Sequence, residues 1–362
     1  MVKKFVYGTP FETEAVVKEI PSSEGNPDYG TFSTENGFSF TTKLADEDMV
    51  FGLGEANRGI NKRGFLYISD CADDPNHVES KTSLYAAHNF IIISGKTHVG
   101  FFFDYPGTLR FDIGYTTSDT MTVSCENADL YVYMITGDSD LDIVKQFRGI
   151  IGRSYIAPKF AFGYGQSRWG YKTEDDFRTV VKKYRENHVP LDMVYMDIDY
   201  MQDYKDFTVN EERFPDFEGF VQDMKKEKIH LVPIIDAGVK VEEGYDIYEE
   251  GCEKGYFCRR EDGSYFEATV WPGWTHFPDV LNADARKWFG DKYDVLVSKG
   301  IDAFWNDMNE PSIFYSQEGL ADFKETAKKY VEGDPEVPHY MVGGKLQALA
   351  NNHEDYKRFY HN

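Results

Sequence analysis

The run Phe304-Trp305-Asn306-Asp307-Met308-Asn309-Glu310-Pro311-Ser312 holds the residues best suited to chemistry. It follows Gly300-Ile301-Asp302-Ala303, so an apolar stretch opens abruptly into polar and acidic side chains. A buried parallel strand looks like this where it ends at a site. The strand tip carries Asp307 between Trp305 and Met308. A carboxylate walled by an indole suits attack on the anomeric carbon of a sugar: the ring shapes the site and the carboxylate meets the electrophile. The other reading makes Asp307 a loop cap and Trp305 a core side chain. An isolated D-M-N-E run leaves both open.

The elements that must position Asp307 begin after Pro158, where strand, polar tip and helix repeat. Ala161-Phe162-Gly163-Tyr164-Gly165 leads to Ser167-Arg168-Trp169-Gly170, and Thr173-Glu174-Asp175-Asp176 has the form of a capping box before a helix reaching about His188. Met193-Val194-Tyr195-Met196 ends at Asp197-Ile198-Asp199, and Ile229 to Ile235 ends at Asp236. Helices are predicted over 217–228 and 284–298. Continuously apolar strands alternating with helices give a parallel sheet covered by helices, and acidic or aromatic tips at the C-terminal ends are the polarity of a (β/α)8 TIM barrel. A doubly wound sheet also binds ligands there, but no glycine-rich phosphate loop follows the first strand.

A full barrel takes about 250 residues. Only four strands are legible from Pro158 to Asn362, so the expectation is the first half of a barrel, with sheet edges that the other half must cover. The expected domains are 1–157 and 158–362, the second with an insertion at about 237–282. Residues 1 to about 135 alternate as short strands with Gly and Asn turns: Phe38-Ser39-Phe40, Phe90 to Ile93, Val99 to Phe103, Thr120 to Val123 and Leu130 to Ile135. They predict an N-terminal antiparallel β-sandwich. Asp140 is the expected cap of a short linker helix with Val144, Phe147 and Ile151 on one face.

Composition narrows the partners. The net charge of -23 disfavours nucleic acid and anionic membranes, both of which need basic patches, and is indifferent to neutral sugars. Aromatic residues make up 16% of the chain and offer stacking platforms for sugars. No apolar run approaches the roughly 20 residues of a membrane span, and Met1 to Gly8 lack the apolar core of a secretory signal. Cys71, Cys125, Cys252 and Cys258 fit no zinc motif, and no HExxH run or calcium loop occurs. The expectation is a cytoplasmic protein with no metal and no cofactor. A Cys252–Cys258 pair and a homo-oligomer stay open.

Four motifs in order resemble glycoside hydrolase family 31, the α-glucosidase and α-xylosidase family. They are Tyr195-Met196-Asp197-Ile198-Asp199-Tyr200-Met201, Pro233-Ile234-Ile235-Asp236, Val270-Trp271-Pro272-Gly273 and Phe304 to Glu310. The sandwich before the barrel also fits that family. The resemblance implies a retaining exo-α-glucosidase acting on short α-1,4- or α-1,6-linked gluco-oligosaccharides, with Asp307 as nucleophile. A retaining enzyme needs a second carboxyl about 5–5.5 Å away. No residue up to Asn362 matches the family's acid/base, which is expected beyond residue 362, so the C-terminal half of the barrel is required. Glu310 shares Asp307's loop and suits loop support better.

By the same resemblance, Asp197 hydrogen-bonds a sugar hydroxyl, and Ile198 and Ile234 wall the pocket. Trp271 and Trp305 line the first sugar site, and Met308 meets the edge of the sugar. Trp169 narrows the aglycone side. Asp73, in the crowded acidic loop Asp70 to Asp74, matches a sandwich loop that reaches the substrate; a solvated loop is the other reading. Structural strand-tip or core roles are the alternatives for Asp197 and the tryptophans. Within the family an α-xylosidase or a transglycosylase fits the same motifs. A non-catalytic carbohydrate-binding protein would keep the tryptophans but have no use for Asp307.

Overall fold

The structure is a computed structural model that describes residues 1–71 and 76–333, together with 338, 341–344, 346, 355–358 and 360. The chain divides into two compact units, Met1–Ile156 and Ala157–Asn362.

The first unit is a sandwich of two five-stranded antiparallel sheets. One orders Val2–Tyr7, Leu130–Gly137, His98–Asp104, Phe90–Ser94 and Met49–Gly52; the other orders Thr31–Ser33, Phe38–Lys43, Thr120–Cys125, Leu109–Ile113 and Phe65–Ser69. Alternation along each strand sends Phe5, Phe101, Phe103 and Val132 from one sheet against Phe38, Phe40, Phe111 and Val123 from the other, all buried. Helix Asp140–Ile151 covers the outer face of the first sheet through Ile143 and Ile150, with Val144, Phe147 and Ile151 beside them. Its cap is Ser139, not Asp140: Ser139 Oγ accepts from Asp142 N, whereas Asp140 turns to Ser94 and to His98, at 2.8 and 2.7 Å. A carboxylate inside the first turn can serve the sheet below because the preceding serine already satisfies the helix end.

The second unit holds four parallel strands in the order Gly165–Gln166, Met193–Met196, His230–Asp236 and Trp305–Asp307. Helices Glu174–Glu186, Phe217–Lys226 and Ala283–Lys292 cover them, burying Phe177, Val181, Phe220, Met224, Trp288 and Phe289 in one core with Val194, Met196 and Leu231. This is the half-barrel. The Thr173–Asp176 capping box is present with both reciprocal bonds. The helix over 284–298 starts one residue early, capped by Asn282, and continues past Tyr293 as the single turn Asp294–Val297. Gly300, at φ 103°, then lets the chain turn into the fourth strand.

The first barrel strand differs from expectation. Lys159–Phe162 form a 3-10 turn after Pro158, and the strand shrinks to Gly165–Gln166. The Asp192 carboxylate accepts from Tyr164 N at 3.1 Å, and Tyr164 O takes the N–H of Asp192, so side-chain bonding replaces a longer ladder. The long connection after Asp236 contains helix Asp246–Lys254 and three strands; with Tyr315–Ser316, from the segment after Asp307, these form a four-stranded antiparallel sheet ordered Val239–Lys240, Gly273–His276, Glu267–Val270 and Tyr315–Ser316. Cys252 and Cys258 form no disulfide with each other. Among the described residues no helix is long and apolar enough to cross a membrane.

Thr173→Ala removes the acceptor for an orphan helix N–H and is expected to lower the unfolding free energy by about 1 kcal/mol, while Thr173→Ser retains most of it. The urea midpoint at unchanged m-value measures this.

Candidate active site at the strand tips

Three adjacent strands deliver carboxylates to the same end of the sheet. Asp197 follows Met193–Met196, Asp236 ends His230–Asp236, and Asp307 ends Trp305–Asp307. Parallel pairing makes Asp236 and Asp307 Cα partners, with Ile234 opposite Trp305. Side chains directly across a parallel ladder share a face, so the second aspartate is obliged to lie beside the first.

The electrostatics follow from burial and like charge. Asp236 is only 1% exposed, and neither of its oxygens has a hydrogen-bond partner among the described residues. Burial, then the charges of Asp307 and Asp197, push its pKa up to about 7. Asp197 is half-buried and also raised, first by burial and then by Asp199 and Asp307, against the lowering effect of the Ile198 N–H that its Oδ1 accepts at 2.8 Å. Asp199 has cations instead: Arg213 at 3.4 Å and Lys172 at 4.0 Å. Asp307 keeps part of its surface open, whereas Asp236 does not.

The aromatic rim comes from three loops. Trp271 and Pro272 form the two-residue tip of the hairpin between Glu267–Val270 and Gly273–His276, and Gly273 adopts φ 101° to close it. Trp271 lies 6.4 Å from Trp169 and meets Phe314 edge-on at 5.1 Å. Phe314 N donates to Thr269 O at 2.9 Å, which ties the segment after Asp307 to the hairpin. Met308, at φ 57°, packs with Val270, Phe266, Phe277 and Ile313. The residue after Asp307 thus holds a left-handed conformation unusual for a side chain with a Cβ, of the kind that clusters at functional sites.

Trp305 packs partly into the barrel core and meets Tyr195 edge-on at 6.1 Å. Trp169 and Trp271 are solvent-exposed, at 65% and 45%. Ile198 and Ile234, expected as pocket walls, are closed into the barrel core at 3% and 1% exposure. Asp73 lies outside the described residues. Sequence reasoning passed over Phe314, whose only sequence signal is its place seven residues after Asp307. It also passed over Asp206, which reads as one more acid in a polar loop. Among the described residues no group of His, Cys, Asp and Glu has the geometry to hold a metal ion.

Residues 154–361 match the family model for the glycosyl hydrolases family 31 TIM-barrel domain. The chain belongs to glycosyl hydrolase family 31. Residues 11–112 match the family 31 N-terminal galactose mutarotase-like domain. This family 31 chain is 38% identical over 277 residues to alpha-glucosidase 2 of Bacillus thermoamyloliquefaciens, covering 75% of this chain and 35% of the relative. It is 26% identical over 358 residues to an alpha-glucosidase of Saccharolobus solfataricus, covering 96% of this chain and 51% of the relative. It thus spans about half or less of the length of these curated relatives. A family 31 alpha-glucosidase from Bacteroides thetaiotaomicron superposes with a TM-score of 0.70 at 26% identity, over 78% of this chain and 48% of that one.

The raised pKa of Asp236 has a signed consequence for stability. A group that holds its proton more tightly in the folded state contributes stability fully present below the unfolded-state value and lost as pH rises through the folded one. For Asp236 the loss runs from about 3.8 to about 7. Asp236→Asn cannot ionise, so its Tm relative to wild type is expected to climb across that window. A Tm difference that is flat with pH in scanning calorimetry contradicts a neutral Asp236.

Proposed function

We propose that the whole enzyme is a retaining exo-α-glucosidase releasing glucose from the non-reducing end of short α-1,4- or α-1,6-linked gluco-oligosaccharides. The observation that carries this reading is a partly open Asp307 in register with a sealed Asp236, in a chain whose curated relatives include alpha-glucosidases. An open carboxylate can reach an anomeric carbon; a sealed one cannot. Asp307 attacks C1 while the glycosidic bond breaks, and the leaving oxygen takes a proton from an acid/base carboxyl beyond residue 362. Water, deprotonated by that same group, then cleaves the glycosyl ester and regenerates Asp307.

Asp236 is unsuited to the acid role although it sits beside Asp307, because at 1% exposure it cannot approach a glycosidic oxygen. Asp197 is the proposed partner of a sugar hydroxyl. Trp305 and Trp271 are the proposed lining of the first sugar site, with Met308, Ile198 and Ile234 as the buried apolar wall packed behind it, and Trp169 bounds the aglycone side. The proposed domains are a sandwich over 1–157 and the first barrel half over 158–362, with its insertion at about 237–282. The remaining barrel half is required to complete the site.

Incubation of the full-length enzyme with 5-fluoro-α-glucosyl fluoride is expected to add one sugar to the peptide bearing Asp307, read by intact mass and peptide mapping. Asp307→Asn is expected to keep the fold and lose nearly all turnover. Residual turnover above a few per cent, or a label on another peptide, removes Asp307 from the nucleophile role.

A further inference from the structure

Another buried aspartate lies behind the strand tips and has no part in the reading above. Asp206 is 1% exposed. Its Oδ1 accepts the main-chain N–H of Asp236 at 3.0 Å, and its Oδ2 has no partner among the described residues. The main-chain carbonyl of Asp206 accepts from Tyr245 Oη at 2.8 Å, and Tyr200 Oη donates to Ile234 O, also at 2.8 Å. The segment after the second strand is therefore bolted to the tip of the third strand at two points, Ile234 O and Asp236 N.

The backbone around Asp206 is strained. Asp203, Tyr204 and Phe207 all have left-handed φ, at 53°, 60° and 61°. Non-glycine residues in that region persist only where the surroundings enforce them. Here the enforcement is Phe207, buried against Phe289 and Tyr293 at 5.1 and 5.3 Å, together with the bonds made by Asp206. The loop holds a strained shape, and that shape puts a carboxyl against the N–H of Asp236.

Among the described residues no cation pairs with this carboxyl. Lys205, its neighbour in sequence, pairs with Glu242 at 2.6 Å, and Arg213 with Asp199. The groups facing the Asp206–Asp236 pair are Asp307 and Asp197 on the neighbouring tips and the phenols of Tyr200, Tyr245 and Tyr293. Burial first, and acidic neighbours after it, raise the proton affinity of every one of those phenols, so they stay neutral. Two carboxyls buried together without a counter-ion cannot both ionise.

We infer that Asp206 is a positioning residue for the reaction: it clamps the main chain of Asp236, and the Asp206–Asp236 pair retains a proton that leaves negative charge to Asp307. The clamp fixes the tip next to the nucleophile, and the retained proton spares Asp307 a second buried charge beside it. Burial, then Asp236, raises the proton affinity of Asp206, in keeping with this assignment. The inference rests on the proposed role of Asp307 for its link to catalysis, but not for the state of the pair.

The test uses the full-length enzyme with 4-nitrophenyl α-glucoside across pH, and difference infrared spectra of the protonated-carboxyl C=O stretch. Asp206→Ala is expected to lower kcat about tenfold or more with little change in KM, because misplacement near the nucleophile costs rate rather than ground-state binding. Asp206→Asn offers the same acceptor without charge and is expected to recover kcat to within about threefold with the wild-type pH profile. A protonated-carboxyl band present in wild type is expected to shift or lose intensity in Asp206→Asn and in Asp236→Asn, each of which removes one member of the pair. An Asn variant as poor as Ala, an Ala variant as active as wild type, or no such band each overturns the inference. If Asp206→Ala does not fold, the Asn profile and the band decide alone. The band needs no turnover, so a wild type that shows it yet hydrolyses no α-glucoside sinks the proposed function and leaves the proton assignment standing.

Discussion

Parallel pairing of the third and fourth barrel strands is the constraint on which the site depends, because it forces two aspartates side by side. Asp236 and Asp307 are register partners, and Asp197 comes to the same end from the second strand. Three carboxyls in one layer of low dielectric repel each other strongly, and Arg213 and Lys172 stand beside Asp199 at its margin. In the half-barrel one acid stays partly open while its neighbour is sealed, and burial and acidic neighbours raise the proton affinity of the sealed one. Different environments of this kind let adjacent acids take different roles.

The second device is the insertion, which ties the aromatic rim to the catalytic strand. Tyr315–Ser316 adds to the edge of the hairpin that carries Trp271, so the chain leaving Asp307 is bonded into the sheet presenting the indole. Met308 is buried at the same junction. Met308 thus links Asp307 to the hairpin through a single residue. Within the sandwich unit, by contrast, the dense phenylalanine core and the helix laid on its outer face account for every strand without invoking any chemistry.

Much of this was legible in the chain. The apolar strands ending in Asp197, Asp236 and Asp307 signalled a parallel sheet with a site at its C-terminal end, and Thr173–Asp176 announced its helix, because period, capping and strand polarity are local properties. The two-residue first strand was not legible. It depends on what lies opposite in space: the Asp192 carboxylate replaces part of the first ladder.

What the sequence by itself determined is which residues stand at strand tips, since alternation and turn chemistry are written along the chain. Only the tertiary structure decided which of those acids is open and which is sealed. Asp197, Asp206, Asp236 and Asp307 are one residue type in similar acidic surroundings, and nothing local distinguishes them. Exposure and register do, and these are set by segments that meet across 30 and 71 residues of chain, where Asp206 caps the N–H of Asp236 and Asp236 pairs with Asp307.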